Sequence, residues 1–434
     1  MRLLRTEGQG AKQAKATLAE LEARGRSALD SVMPAVRKIL RDVSVRGDSA
    51  LMRYARKFDG LEVKASMRVS SEETAAAWQQ LDLALKQALE TAAANIRAFA
   101  QRQMPQSWQT SPTEGLSAGQ LVRPIESVGC YVPGGRHPLP STMLMTVIPA
   151  QVAGVTRIVV ASPRPAPETL ATAHLLGVTE FYRIGGAHAI AALAYGTDSI
   201  ARVRKIVGPG NLYVTAAKRS LAFDCAIDML AGPTEIVVTS DCGTPEGIAS
   251  DLVAQAEHDP EALAIFITTN ELLANAVIEE TKQRSRDNSV ARAALRRNGY
   301  VILVASKVEA QSITNRLAPE HLTVDSAEDL AWVQNAGSVF IGNYSPQPMG
   351  DYISGPNHTL PTGGMATVRG GLSVNDFVKL ITVQEYSSAG LAALGPHAIR
   401  LAEAEGLNGH AEAIRARIET ASMPRAKSGK RGRV

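Results

Sequence analysis

From residue 11 to about 104, apolar side chains recur at three- and four-residue steps in AKQAKATLAELEARG, SALDSVMPAVRKILRDVSVRGD and SEETAAAWQQLDLALKQALETAAANIRAFAQRQM. That spacing predicts helices with one buried face. Prolines and PTEG close this arm. From about 125 the pattern changes to short β-branched runs alternating with helical stretches: IESVGCYVPGG, STMLMTVIPAQVAG, RIVVASP, PETLATAHLLGV, EFYRIGG, AHAIAALAYG, RKIVGPG and NLYVTAAKRSLAF. A second cycle passes through TEIVVTSD, PEGIASDLVAQAEHD, LAIFITTN, a long helical stretch to Gly299, VILVAS, EAQSITNRLAP, HLTVD, AEDLAWVQNAG and SVFIG. Such alternation predicts mostly parallel sheets with helices on their faces, here two α/β domains in tandem. GNYSPQPMGDYISGPNHTLPTGG, rich in Gly and Pro, predicts a loop. The chain then turns helical again from about 374 to 421, in a segment too small to be a domain.

Composition narrows the class. The 434 residues, 45% hydrophobic and 20% charged, are material for two or more packed domains and too apolar for disorder. Net charge is only +4, and much of the excess lies in the tail at Arg425, Lys427, Lys430, Arg431 and Arg433. That tail has no aromatic residue, so it reads as a disordered, solvated end and not as a nucleic-acid-binding surface. Cys130, Cys225 and Cys242 are far apart and lack CxxC spacing, which suggests neither a disulfide framework nor a thiolate zinc site. No apolar run reaches about 18 residues, and MRLLRTEGQGAKQ has no signal-peptide character. A cytoplasmic protein with no membrane partner is expected.

Several stretches could carry chemistry. In EFYRIGGAHAI, which contains His188, and again in RKIVGPGNLYVT, with Asn211 at a helix start, glycines join a strand to a helix; backbone amides there can approach a phosphate, although tight strand-to-helix packing also demands such glycines. DLVAQAEHDP sets Gln255 and His258 three apart near a helix C-terminus, on one face, where an imidazole and an amide oxygen could bind a metal or the histidine could simply complement the helix dipole. MGDYISGPNHTL offers Asp351, and AEAEGLNGHAEAI offers Glu405 and His410 around a helix break. LAPEHLTV sets Glu320 beside His321 just after a helix-ending proline.

Taken in order, GCYVPGG, GGAHAIAALAYGT, VGPGN, DMLAGPTEI, SDLVAQAEHDP, APEHL, SGPNHTLPTGG, GLSVNDF and EAEGLNGH resemble the histidinol dehydrogenase family from roughly residue 10 to 421. The resemblance implies an α/β fold of two incomplete Rossmann-like parallel-sheet domains with N- and C-terminal helical extensions. It implies an arm at 1–124 packing on the second α/β domain, a first Rossmann-like domain at 125–233 on the NAD side, and a second at 234–373 holding zinc and the catalytic bases. A helical segment at 374–421 would reach into the partner's site in a homodimer of intertwined subunits, and 422–434 would be the disordered basic tail.

The reaction implied is the last two oxidations of histidine biosynthesis, L-histidinol through L-histidinal to L-histidine, with one zinc ion per subunit and NAD. The resemblance assigns zinc to Gln255, His258 and Asp351, with His410 from the other subunit. Those ligands, Thr234, His321 and Glu405 would contact substrate, and Tyr131, His188 and Asn211 would contact NAD. His321 would be the base in both hydride steps, and Glu320 would activate the water that hydrates the aldehyde. The family commonly has glutamine at His188 and often serine at Thr234. The nearest rival is a paralogous zinc and NAD dehydrogenase acting on another polar alcohol such as a sulfonated diol. Glu405 and His410 argue against it, because a carboxylate at that position suits an imidazole and repels a sulfonate. A zinc hydrolase using Glu320 is a rival from another class.

Overall fold

The computed structural model describes residues 1–24, 29–134 and 138–422; the expected tail at 422–434 therefore lies, beyond its first residue, outside the described residues. In chain order the elements begin with β1 (Arg2–Arg5), α1 (Ala11–Glu22), α2 (Met33–Phe58, kinked at Gly47), α3 (Ser71–Gln80) and α4 (Leu83–Arg102). Next come β2 (Trp108–Thr113), β3 (Leu116–Pro124), β4 (Ser127–Tyr131), α5 (Pro140–Ala153), β5 (Arg157–Ala161), α6 (Pro167–Leu175), β6 (Glu180–Tyr182), α7 (Gly186–Tyr195), β7 (Lys205–Val207), α8 (Leu212–Leu221) and β8 (Ala226–Ile227). The second cycle holds β9 (Glu235–Thr239), α9 (Pro245–Ala256), β10 (Leu263–Thr268), α10 (Glu271–Arg284), α11 (Ser289–Asn298), β11 (Gly299–Leu303), α12 (Lys307–Leu317), β12 (His321–Val324) and β13 (Ser338–Ile341). It is followed by α13 (Pro348–Tyr352), β14 (Val378–Tyr386), α14 (Ser388–Ala404) and α15 (Asn408–Ser422).

The chain forms two compact units, one of Met1–Met104 with Ile125–Phe377, the other of Pro105–Pro124 with the residues from Val378 on. The first unit carries two parallel sheets, ordered β6-β5-β4-β7-β8 and β1-β11-β10-β9-β12-β13. Both are covered on their faces, as all-parallel sheets must be. In the second sheet the alternation is plain: Ile236, Val238, Ala264, Phe266 and Val301 pack with α9 to α11, while Val237, Ile265, Ile267, Ile302 and Leu322 pack with α1 and α12.

Of the N-terminal arm, β1 and α1 lie on the second sheet. In contrast to the arm expected on that domain as a whole, α2 packs on α7 and α8, α3 on α6 and α4 on α5, all helices of the first sheet. The amphipathic face of α2, with Val36, Leu40, Val43 and Leu51 buried, joins the core under Ile190 and Leu193 of α7.

The second unit corrects two expectations. Residues 108–124 and 378–386 are strands, forming the antiparallel sheet β14-β3-β2, and α14 packs against α15. β14 carries apolar residues on both of its faces, Leu380 and Tyr386 on one, Ile381 and Val383 on the other, and all are exposed. A strand that is apolar on both sides lacks the alternation that marks a half-buried strand, so its segment read as the start of a helix.

Candidate active site

The site forms where β9 and β12 begin. These strands are neighbours, with His321 opposite Ile236 in the register; His321 therefore shares the face of Ile236, toward α9. The turn that delivers it is tight. α12 ends on Ala318, which adopts a left-handed conformation at φ 44°, and Pro319 prevents further helix.

One residue, Glu235, holds both neighbours in place through its backbone. Its N–H donates to Glu320 Oε2 at 2.8 Å, and its carbonyl accepts from His321 Nδ1 at 3.1 Å. Since a carbonyl only accepts, Nδ1 carries the proton and Nε2 keeps a lone pair. Glu235 is itself gripped by Arg24, which donates to both of its carboxylate oxygens at 2.7 and 2.8 Å and to the Leu317 carbonyl at 2.6 Å. Gly363 N–H adds a third contact at 2.9 Å. Sequence reasoning missed Glu235 and Arg24; no local pattern links two residues so far apart.

Burial tunes the two bases in opposite directions. Desolvation raises the Glu320 carboxyl well above its ordinary range, against the hydrogen bonds from Thr234 Oγ1 at 2.6 Å and from Glu235 N–H. It pushes the His321 imidazole, only 3% exposed, down to about 4, although nearby Asp351 opposes this. At neutral pH His321 is therefore an unprotonated base, with Nε2 3.8 Å from Asp351 Oδ1.

The α9 side supplies Gln255, fully buried in the last turn, whose amide N–H donates to the Thr234 hydroxyl. Its Oε1 is buried and has no hydrogen-bond partner. His258, expected on the same helical face, instead lies in the turn beyond α9, exposed, with its N–H toward Gln255 O at 3.4 Å. Pro260 biases the residue before it away from helix, which ends the element early. Asp351 sits on the short helix α13, its Oδ2 accepting from Gln347 Nε2 at 2.9 Å. His358, a second imidazole that sequence reasoning passed over within SGPNHTLP, donates from Nδ1 to the Asp351 carbonyl at 2.8 Å, while its Nε2 meets Thr142 Oγ1 at 3.3 Å. Its burial lowers its pKa.

Thr234, Gln255, Glu320, His321 and Asp351 are thus brought together by direct contacts, and His258 is near enough for its charge to act on His321. Among the described residues no group of three His, Cys, Asp or Glu side chains converges in the manner of a metal cage. Glu405 and His410 belong to the other unit and are exposed, Glu405 at the turn after α14, where Gly406 takes φ 74°, and His410 in the first turn of α15.

The first sheet carries the other expected residues. Tyr131 ends β4 and its hydroxyl accepts from Gly186 N–H at 3.1 Å. Asn211 caps α8, its Oδ1 accepting from the N–H groups of Tyr213 and Val214 at 3.0 and 3.2 Å. The turn before it is braced from below: Asp228 Oδ2 accepts from Gly208 N–H at 2.7 Å, and buried Lys218 pairs with Asp228 and donates to Gly208 O at 2.9 Å. Only glycine fits at 208, where φ is 110° and a Cβ would lie 2.1 Å from the Tyr131 carbonyl oxygen.

His188 is 1% exposed, and its Nε2 is bonded to Asp59 Oδ2 at 2.7 Å; the same oxygen accepts from Gly185 N–H at 2.9 Å. The amides of Gly185 and Gly186, expected to face a phosphate, are therefore already occupied by Asp59 and Tyr131. Cys130 is buried and its thiol is pushed up to about 12 by burial, so it supplies no thiolate.

The family model described as histidinol dehydrogenase matches residues 22–418. The histidinol dehydrogenase of Methanothermobacter thermautotrophicus is 46% identical over 415 residues, 92% of this chain and 97% of that protein. That of Geobacillus kaustophilus is 46% identical over 397 residues, 89% and 93% of the two chains. The crystal structure of histidinol dehydrogenase from Elizabethkingia anophelis superimposes with a TM-score of 0.91 at 36% identity, covering 98% of this chain and 99% of that one.

Proposed function

This chain belongs to the histidinol dehydrogenase family and is an oxidoreductase, and on that premise we propose that it oxidises L-histidinol through L-histidinal to L-histidine, with zinc and NAD, as a homodimer. The observation that carries the reading is the tautomer of His321: Nδ1 tied to the Glu235 carbonyl, Nε2 left as a base of low proton affinity beside Asp351.

The fit to a metal rests on Gln255 Oε1, a buried oxygen without a partner, facing a site that also contains Asp351. Gln255, His258 and Asp351 would hold zinc, with His410 of the partner subunit. The homodimer is supported by β14, whose two exposed apolar faces call for cover that the described residues of one chain do not give. The fit to NAD rests on topology. In the first sheet the order β6-β5-β4-β7-β8 reverses between β4 and β7, and the carboxyl ends flanking such a switch point form the crevice of open parallel sheets. Tyr131 and Asn211 flank it. His188 supports the neighbouring turn from behind, through Asp59, and does not offer Nε2 to a cofactor.

When bound, NAD accepts a hydride in each oxidation and zinc orients the substrate's imidazole and amine. The chain's own groups handle the protons. Nε2 of His321 takes the proton of the alcohol as the C–H bond is lost, forming the aldehyde. His321 releases that proton to solvent; Glu320, with its elevated proton affinity, takes a proton from the water that adds to the aldehyde, and His321, unprotonated at Nε2 again, takes the proton of the resulting hydrate as the second C–H bond is lost, giving the acid. Thr234 donates to Glu320 and so keeps Oε2 in a fixed direction. Glu405 of the partner subunit, on the same segment as His410, would bond the far imidazole nitrogen of the substrate and fix its tautomer.

The test is NADH formation from histidinol set against a panel of amino alcohols and a sulfonated diol, with and without chelator. Two NADH per histidinol, abolished by chelator, is the expected result; turnover of the diol alone would overturn the substrate assignment.

A further inference from the structure

α9 is tied to the residue that opens α13: Gln347 N–H donates to Asp251 Oδ1 at 3.3 Å, and the Gln347 side chain reaches on to Asp351 Oδ2 at 2.9 Å. Asp251 lies four residues before Gln255 on α9, and Gln347 four residues before Asp351. Both Asp251 and Gln347 are buried, Gln347 to within 1% of full burial. α13 packs directly on Phe340 because residue 350 is glycine; a Cβ there would stand 2.6 Å from that ring, which itself lies near His321.

A carboxylate on a five-residue helix has little to fix its rotation. Here one oxygen is turned by Gln347, which leaves Oδ1 on the side of His321. Gln347 is in turn held by Asp251 on a long, well-packed helix that also presents Gln255. We propose that Gln347 and Asp251 are positioning residues, a buried strut that sets the spacing and orientation of the Gln255 and Asp351 oxygens and with them the affinity of the site for a divalent cation.

The inference rests on the assignment of Gln255 and Asp351 as zinc ligands, and the experiment separates the two. Zinc affinity is measured on the full-length purified protein by competition with a chromophoric chelator, alongside metal content and thermal melting, for the wild type, Asp351→Asn, Gln347→Leu, Asp251→Asn and Asp251→Leu. The strut predicts that Gln347→Leu and Asp251→Leu weaken zinc binding by about 10- to 100-fold, the range for groups that orient a metal ligand. Asp251→Asn, which keeps an acceptor for the Gln347 N–H, should restore affinity to within about threefold of wild type on the same scale. If Gln347→Leu is not recovered folded, Gln347→Met is the substitute. Wild-type affinity in the leucine variants overturns the strut while leaving the ligands standing. Wild-type affinity in Asp351→Asn overturns the ligand assignment itself.

Discussion

Both parallel sheets are wound alike. Counting each from β4 or from β9, the strands lie in the order third, second, first, fourth, fifth, with β1 added at the edge of the second sheet. The same topology nevertheless serves opposite ends. In the first sheet the residues proposed to contact NAD, Tyr131 and Asn211, stand beyond the carboxyl ends of β4 and β7, where the order reverses. In the second sheet the equivalent crevice, beyond β9 and β12, is filled by acids. Asp241 Oδ1 accepts from Thr268 Oγ1 and Thr269 N–H at 2.9 and 2.7 Å, and Asp241 N–H donates to Asp325 Oδ2 at 2.9 Å. Two carboxylates bonded inward repel a phosphate. The proposed chemistry lies instead at the amino ends of the same two strands, at Thr234, Glu235, Glu320 and His321. Winding decides where a crevice opens; the side chains decide whether it is used.

The sharpest way to break this contrast is at His321. His321→Asn should lower kcat by about 10²- to 10⁴-fold, the usual contribution of a positioned base, while NAD affinity measured by fluorescence quenching stays unchanged, since the proposed NAD contacts lie on the other sheet. Loss of both together would mean the two ends do not act separately. The same variant tests pH dependence in chelator-treated protein. Folded His321 binds its proton only near pH 4, against about 6.5 when unfolded, so the unfolded state takes up the extra proton between these values. Stability from this group is full above about pH 6.5 and is lost as pH falls toward 4, and urea unfolding of His321→Asn should show a flatter slope across that window.

Next in size is Arg24→Ala. It leaves Glu235 buried without its cation, at a cost of about 3 to 5 kcal/mol in urea unfolding. Asp241→Ala, at the closed end of the second sheet, should cost about 1 to 3 kcal/mol through unsatisfied donors on Thr268 and Thr269, with kcat and KM of the folded enzyme unchanged. An effect on KM for NAD would show that this end is not idle. The smallest effect belongs to Asn211→Ala, with about 1 kcal/mol lost from the cap of α8 and a several-fold rise in KM for NAD at nearly constant kcat.

Much of this was legible in the residues. The two α/β cycles follow from hydrophobic runs that sheets buried on both faces require, and the placement of Glu320 and His321 after a proline-terminated helix follows from LAPEHL alone. What was not legible has physical reasons. β14 is apolar on both sides and shows no period of two. Glu235 acts through its main chain, which its side-chain identity does not announce, and Arg24 reaches it from more than two hundred residues away in sequence. His188 reads as a ligand-facing group at a glycine turn, yet Asp59, contributed by the end of α2, takes its Nε2.

The edge strand β1 has a consequence for how the molecule is made. Arg2–Arg5 pairs with Tyr300–Leu303, so a segment docks on one that is translated long after it. At roughly 5 to 20 residues per second, the wait is on the order of tens of seconds, during which Leu3 and Leu4 have no native partner. The five-stranded sheet, complete by Ile227, can assemble in that interval, and closure of the six-stranded sheet is the late event on which any fusion placed before Arg2 would weigh.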